Sequence, residues 1–216
     1  MSFRIRRLLE ITHGGSHHIT IFPVSRMRGK RMAERNSLMR FLHDAGLAAW
    51  FGGSLMGAIG LNGASAELAN PKERTHVANA GWARWTPINA TAIITHLVGS
   101  VALTWNNKAR LVGQRRVASA AAAKTGLTLA AVGATAYARA LGERVMEASH
   151  SPSEDAPIPS EQTAPEIAET QRRLGVLQWL IPALTGALVA TNAVMGEQQR
   201  PAQVGKGFLH RLSPTR

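Results

Sequence analysis

The sequence predicts an all-α fold: a bundle of four helices crossing a membrane, with both chain ends on the cytoplasmic side. Three observations lead there. Charge is scarce, at 18 % of 216 residues, against ~25 % in an average soluble protein, and it is unevenly spread. From Phe41 to Leu61 the only charged residue is Asp44, while Thr86–Asn107 and Leu174–Gly196 contain no acid or base at all. Finally, the 25 lysines and arginines sit beside particular apolar stretches instead of forming one stripe, which is the pattern of positive-inside orientation. Mean hydropathy near zero follows from long polar segments diluting the apolar ones.

Residues 1–36 form a basic tail with Arg4, Arg6, Arg7, Arg26, Arg28, Lys30, Arg31 and Arg35. It lacks the apolar run and small-residue cleavage site of a secretory signal. Met27 and Met32 are alternative translation starts, and little order is expected before residue 37. The transmembrane domain is then expected over residues 37–198, followed by a basic tail at 199–216.

The first span runs from about Leu38 to Leu61 and stops at Asn62-Gly63, enough for the ~20 residues a bilayer crossing needs. The second, about Trp85 to Trp105, has a tryptophan at each end, as interfacial belts do. Pro87 is expected in its first turn, where a missing N–H costs nothing. The third, about Val117 to Leu141, contains Lys124. At the centre of a span a lysine costs ~2.5–3.5 kcal/mol, but near an end it reaches the headgroups. The fourth, about Leu174 to Met195, carries Trp179 near one end and Pro182 in its early turns. Residues 149–170 are rich in Pro, Ser and Glu and are expected to be an acidic, solvated outward loop.

Orientation comes from the basic residues. About eighteen lie on the two tails and the 106–124 connection, against seven on the alternate loops, so tails and connection face the cytoplasm of a cell (inner) membrane. The net charge of +12 raises nucleic-acid binding as a competing class, but the bases do not interleave with aromatics along one face. A soluble bundle of helices apolar on all sides is the other competitor.

The two halves also echo one another. Ala45-Gly46-Leu47 matches Thr125-Gly126-Leu127, Gly53 falls on Gly133 and Asp44 on Lys124, and Trp85-Thr-Pro87 is similar to Trp179-Leu-Ile-Pro182. The pattern suggests a 2+2 parallel repeat, with an Asp44–Lys124 ion pair between the first and third helices. Small residues spaced by four on the first helix (Ala45, Ala49, Gly53, Gly57) and on the third (Gly126, Ala130, Ala134, Ala138) form ridges that let backbones approach closely. Such ridges serve either packing within the chain or a homo-oligomer seam.

Four intramembrane polar side chains are the site candidates: His96, His43, Asp44 and Lys124. An ionisable residue within a span is a functional hypothesis by default. His96 is grouped with Thr91, Thr95, Ser100 and Thr104 on a helix expected to face the interior or a wet cavity. It is either a hydrogen-bonded core histidine, a proton relay, or a ligand to a metal or haem. Measured from the span ends, His43 and His96 differ in depth by ~9 Å, which disfavours their pairing across a haem b.

His43-Asp-Ala-Gly-Leu-Ala-Ala-Trp50-Phe-Gly52-Gly53 resembles the H-x6-W-x-G-G helix motif of copper-resistance D-type membrane proteins. Eleven residues carry the resemblance, which implies copper handling with His43 as the matching histidine, alongside His96 as the other candidate ligand. The family's cysteines and later signatures have no counterpart here. His13, His17 and His18 have metal-like spacing, but Gly14 and Gly15 oppose a helix there. No catalytic fingerprint is present, so the expectation is a non-enzymatic scaffold, accessory subunit or self-associating component. Its partners would be the lipid bilayer and a second copy or another membrane protein, and it would need no cofactor. A small transporter or metal-handling protein using His96 and His43, and a haem b redox subunit, are the other classes.

Overall fold

The structure, a computed structural model, describes residues 24–106, 108, 115–148, 153–155 and 157–198. The chain divides into two compact units, Met1–Arg35 and Asn36–Arg216, and the packed helices belong to the second. The expectations for His13, His17, His18, for the tail up to residue 23 and for that from residue 199 fall outside the described residues.

Among these residues the protein is almost entirely helical. Helix α1 spans Val24–Met56, passes through a π-helical turn at Gly57–Leu61 and continues as α2, Asn62–Ala66. Helix α3 is Pro71–Asn106, α4 is Arg115–Glu147 and α5 is Pro165–Gln198. A two-stranded antiparallel ladder, β1 (Ser153–Asp155) with β2 (Ile158–Pro159), pairs Ser153 with Pro159 before α5.

Every helix outruns its predicted apolar stretch. Residues 24–36, expected to lack order, already belong to α1; Arg, Met, Lys, Ala and Glu there are good helix formers. The loop expected at 149–170 contains the small ladder and the start of α5. Pro87 and Pro182 therefore lie well inside helices, not in the first turn and the early turns expected for them. That role falls to Pro71 and Pro165, the first residues of α3 and α5, where proline's fixed φ suits the helix. Asn70 caps α3: its side-chain oxygen accepts the Lys72 N–H at 3.0 Å, and its amide donates to Glu73 at 3.1 Å. At the start of α5 a hydrogen bond from Arg173 at 2.8 Å holds the exposed Glu169 carboxyl below its ordinary range.

A 3–4 alternation organises the bundle. On α1 the row is Met39, His43, Gly46, Trp50, Gly53, Gly57, and on α3 it is Ala78, Trp82, Trp85, Asn89, Ala92, His96, Gly99. Nearly all of these are buried or half-buried, and matching rows run along α4 from Lys124 and along α5 from Gln171. An average repeat of 3.5 residues keeps one seam facing its neighbours along the whole helix. Leu47 and Trp50 of α1, Ala92 of α3, Ala131 of α4, and Ile181 and Leu188 of α5 join in one core.

Backbone contact between α1 and α3 is very close. A Cβ on Gly46 would stand 2.5 Å from the Ala92 carbonyl oxygen, and one on Gly99 would stand 2.6 Å from the His43 nitrogen. Further along, the rings of Trp85 and Trp82 occupy the space over Gly53 and Gly57. Of the ridge expected on α1, Gly53 and Gly57 thus pack within the chain, Ala45 is half-buried and Ala49 is exposed. On α4, Ala134 and Ala138 meet the core, whereas Gly126 and Ala130 face outward. The sequence echo is not matched in packing, since Gly46 and Gly53 are covered while nothing lies within 4 Å of a Cβ on Gly126 or Gly133.

Two helices, α3 and α5, are long and apolar enough to cross a membrane. In their apolar windows only 22 % and 33 % of residues are buried. Phe41, Ile59, Val101, Leu129, Val176 and Trp179 are all exposed. The interior, by contrast, holds His43, Ser54, Asn62, His96, Gln171, Gln178 and Thr185.

Candidate functional site

All four polar candidates picked from the sequence contribute to one cluster, in the half of the bundle that ends at Asn36 and Asn106. His43 is its hub. Its Nδ1–H donates to the Asp44 carboxylate at 2.6 Å, and its Nε2 accepts from the Lys124 ammonium at 2.7 Å. A carboxylate only accepts and an ammonium only donates, so these partners fix one neutral tautomer of the ring. The expected Asp44–Lys124 ion pair is therefore a three-part chain with an imidazole in the middle. Adjacent residues on a helix point ~100° apart, yet His43 and Asp44 still meet. His43 lies on the seam, 3 % exposed, and Asp44 reaches round from the outer face, 56 % exposed.

His96 is wholly buried, and its ring lies against that of His43 with centroids 4.4 Å apart and planes tilted by 42°. Its Nδ1–H donates to the His43 carbonyl at 2.9 Å. That bond puts the ring proton on Nδ1 and leaves a lone pair on Nε2, which has no partner among the described residues. Gly46 and Gly99 permit this contact, because any side chain there would push the two backbones apart. Two turns further along α1, the indole N–H of fully buried Trp50 donates to Thr135 of α4 at 3.2 Å, and its ring lies 6.3 Å from that of His96.

The depth estimate from span ends is corrected by where the hairpin closes. The Asn106 amide donates to the Asn36 side-chain oxygen at 2.7 Å. From these anchors His43 is seven residues in and His96 ten. The offset is ~4.5 Å at 1.5 Å per residue, and inward-pointing rings close it. Ring centroids 4.4 Å apart leave no room for a planar macrocycle between the two imidazoles. Both nitrogens of His43 are also engaged within the chain, and no group of three or more His, Asp or Glu side chains among the described residues is arranged to hold a metal ion.

Of the polar neighbours expected around His96, Ser100 shares its stripe and the three threonines are satisfied locally. Thr91, Thr95 and Thr104 turn their hydroxyls back to the carbonyls of Pro87, Thr91 and Ser100, the local bond that lets threonine sit on an apolar surface. Sequence reasoning missed Trp85 and Asn89. With His96 and Ser100 they place four buried polar atoms (Trp85 Nε1, Asn89 Oδ1, His96 Nε2, Ser100 Oγ) on one stripe of α3, all without partners among the described residues. Their spacing of four, seven and four residues was visible in the sequence but was obscured by the surrounding threonines.

A second polar centre lies toward the other end. Asn62 donates its amide to Gln178 and accepts the Trp82 indole N–H at 3.1 Å, so α2, α3 and α5 meet there. The π-helical turn adds a residue just before Asn62, which rotates that side chain into the interior. Gln171, 1 % exposed, lies two turns from Gln178 along α5, and neither of its amide atoms has a partner among the described residues. An apolar groove of about 390 Å³ opens on the surface beside this region, between Gly57, Gly60, Trp82 and Trp85.

Of the copper-resistance-like motif, His43, Trp50 and Gly53 face the interior, and Gly52 stands in open space. No family model, curated protein or solved structure matches this chain.

Proposed function

We propose that this chain is an integral membrane protein of four spans, with both ends on the cytoplasmic side and no enzymatic activity of its own. One observation carries the reading: among the described residues, polar side chains share the interior with apolar ones in nearly equal number, while many large apolar side chains lie on the outside. A soluble domain that left this many Val, Ile, Leu and Trp side chains exposed would present contiguous apolar patches far beyond the few hundred Å² that monomers tolerate. In lipid the same surface is solvated. The spans of α1 and α4 contain Asp44 and Lys124, and the shared histidine supports their tolerance near the cytoplasmic boundary. The outward-facing Gly126 and Ala130 remain available for a second copy or another membrane protein.

The chain has no cysteine, so single cysteines report topology cleanly. In intact cells, Ser160→Cys is expected to react with a membrane-impermeant maleimide, and Lys108→Cys only after permeabilisation. The polypeptide should also stay with membranes through an alkaline carbonate wash. Release by that wash, or equal labelling of both positions in intact cells, rejects the membrane reading.

A second reading, a small transporter, is favoured by one observation: the four ionisable side chains converge although they come from three helices. The engaged nitrogens of His43 favour a proton over a metal ion as what is handled. Substituting Asn62→Leu is expected to remove the Gln178 and Trp82 bonds together and to destabilise the bundle by ~1–3 kcal/mol, because it leaves buried polar groups unpaired. A denaturant titration in mixed micelles measures this.

A further inference from the structure

We propose that the bundle conducts protons: along the buried stripe of α3 to His96, and out to the cytoplasmic boundary through a Lys124–His43–Asp44 relay. The inference rests on the membrane reading and gives its transporter variant a substrate.

The relay has the order that proton transfer needs. Lys124 Nζ is 2.7 Å from one ring nitrogen of His43, and Asp44 Oδ1 is 2.6 Å from the other. When Lys124 gives a proton to His43 Nε2, the Nδ1 proton passes to Asp44. One N–H bond breaks at lysine and one forms at Nε2, one breaks at Nδ1, and an O–H bond forms on the carboxylate. Lys124 is left as a neutral amine, His43 in its other neutral tautomer, and Asp44 as a carboxylic acid. No charge stays on the buried ring. Asp44, more than half exposed, then loses the proton to the cytoplasmic boundary.

His96 supplies the drive. Its Nε2 lone pair is buried and unpartnered among the described residues, and a proton taken there makes an imidazolium whose ring centre is 4.4 Å from that of His43. The new positive charge stands beside the Lys124–His43 pair in a low-dielectric interior, where charges interact strongly, and it favours passing lysine's proton onward. Transfer of the His96 Nε2 proton to the neutral amine, through a bridging water, restores the ammonium, and water-assisted return of the His43 proton from Nε2 to Nδ1 restores its first tautomer, so the cycle closes with one proton in and one out. The charged or titratable groups around this point are Arg40, His43 and Asp44 on α1, His96 on α3 and Lys124 on α4. From Ile181 to Met195, α5 contributes none.

The same stripe gives protons their way in. Trp85, Asn89, His96 and Ser100 span fifteen residues of α3, or ~22 Å of helix, most of a ~30 Å hydrocarbon core. Each has a buried polar atom that no described residue satisfies. A single such atom is a local defect. A row of four, with Gln171 beyond its outer end, matches what a file of water molecules requires, since buried water takes its hydrogen bonds from otherwise unsatisfied polar groups.

The test is proton flux into proteoliposomes holding the full chain, an internal pH dye and potassium, driven by valinomycin. Carbonate-resistant insertion is checked first for each protein. Flux at least tenfold above empty vesicles is expected for the wild type. It should fall tenfold or more in Asp44→Asn, His43→Gln, Lys124→Met and His96→Gln, recover in part in Asp44→Glu, and stay unchanged in Thr95→Ala, off the stripe. Inserted wild-type protein no leakier than empty vesicles, or relay variants that conduct like the wild type, overturn the proposal and leave the membrane reading standing. A chain that does not insert defeats both.

Discussion

Replacing Gly46 or Gly99 with valine is expected to unfold the α1–α3 hairpin. At each position the first atom of a side chain would meet backbone, 2.5 Å from the Ala92 oxygen or 2.6 Å from the His43 nitrogen. Backbone atoms within a helix cannot rotate away as a flexible side chain does, so the helices must separate along the seam. Overpacking of a tight core ordinarily costs ~1–3 kcal/mol, and an obstruction of backbone by backbone should exceed that range. The separation would also take His96 Nδ1 away from the His43 carbonyl. Gly52→Ala and Gly126→Ala are the matched controls, because nothing lies within 4 Å of either added carbon. In an exposed helix interior, Gly→Ala gains up to ~1 kcal/mol. Titration with a denaturing detergent, followed by helical circular dichroism, should show the two seam variants losing their transition and the two controls holding or raising it.

Trp50→Ala should be the most damaging truncation in the core. Trp50 is fully buried where all four long helices meet, and it bonds to Thr135. Loss of a buried Trp side chain costs ~3–5 kcal/mol in soluble proteins. On the membrane reading proposed above, the transfer part of that shrinks, since hydrocarbon tails solvate an indole's carbon about as well as the core does. The cavity and the unpaired Thr135 hydroxyl remain, so a loss near ~3 kcal/mol is expected. Trp50→Phe keeps most of the volume and removes only the hydrogen bond, for ~0.5–1.5 kcal/mol. Equal losses for the two would mean that the bond, not the packing, holds the helices together at this level.

The site was legible as a set of residues but not as an arrangement. His43, Asp44, His96 and Lys124 stand out because ionisable groups are expensive in apolar stretches, and a one-dimensional reading detects that. The echo aligned Asp44 with Lys124 as a direct ion pair, whereas each of them bonds to the His43 ring instead. It could not reveal that His43 stands between them, because that depends on the phase of each helix about its axis. The error in relative depth had a similar source. Hydropathy marks where apolar character ends, while the Asn36–Asn106 bond marks where the hairpin closes, two residues before Leu38 on α1 and one after Trp105 on α3.

The small-residue ridges show the same division. Spacing by four selected Ala45, Ala49, Gly53 and Gly57, whereas the seam follows the 3–4 alternation through Gly46, Trp50, Gly53 and Gly57. A strict fourfold step drifts around the helix, so the row starts off the seam at Ala45 and Ala49 and joins it only at Gly53 and Gly57. Composition along the chain settled that this protein is helical, where its apolar stretches lie and which polar side chains interrupt them, since these depend on transfer energies and local propensities of single residues. Tertiary packing alone decided which histidine nitrogens are engaged, which glycines admit a neighbouring backbone and which buried polar atoms go unanswered. Those outcomes depend on the mutual rotation and offset of helices distant in sequence, and no local preference encodes them.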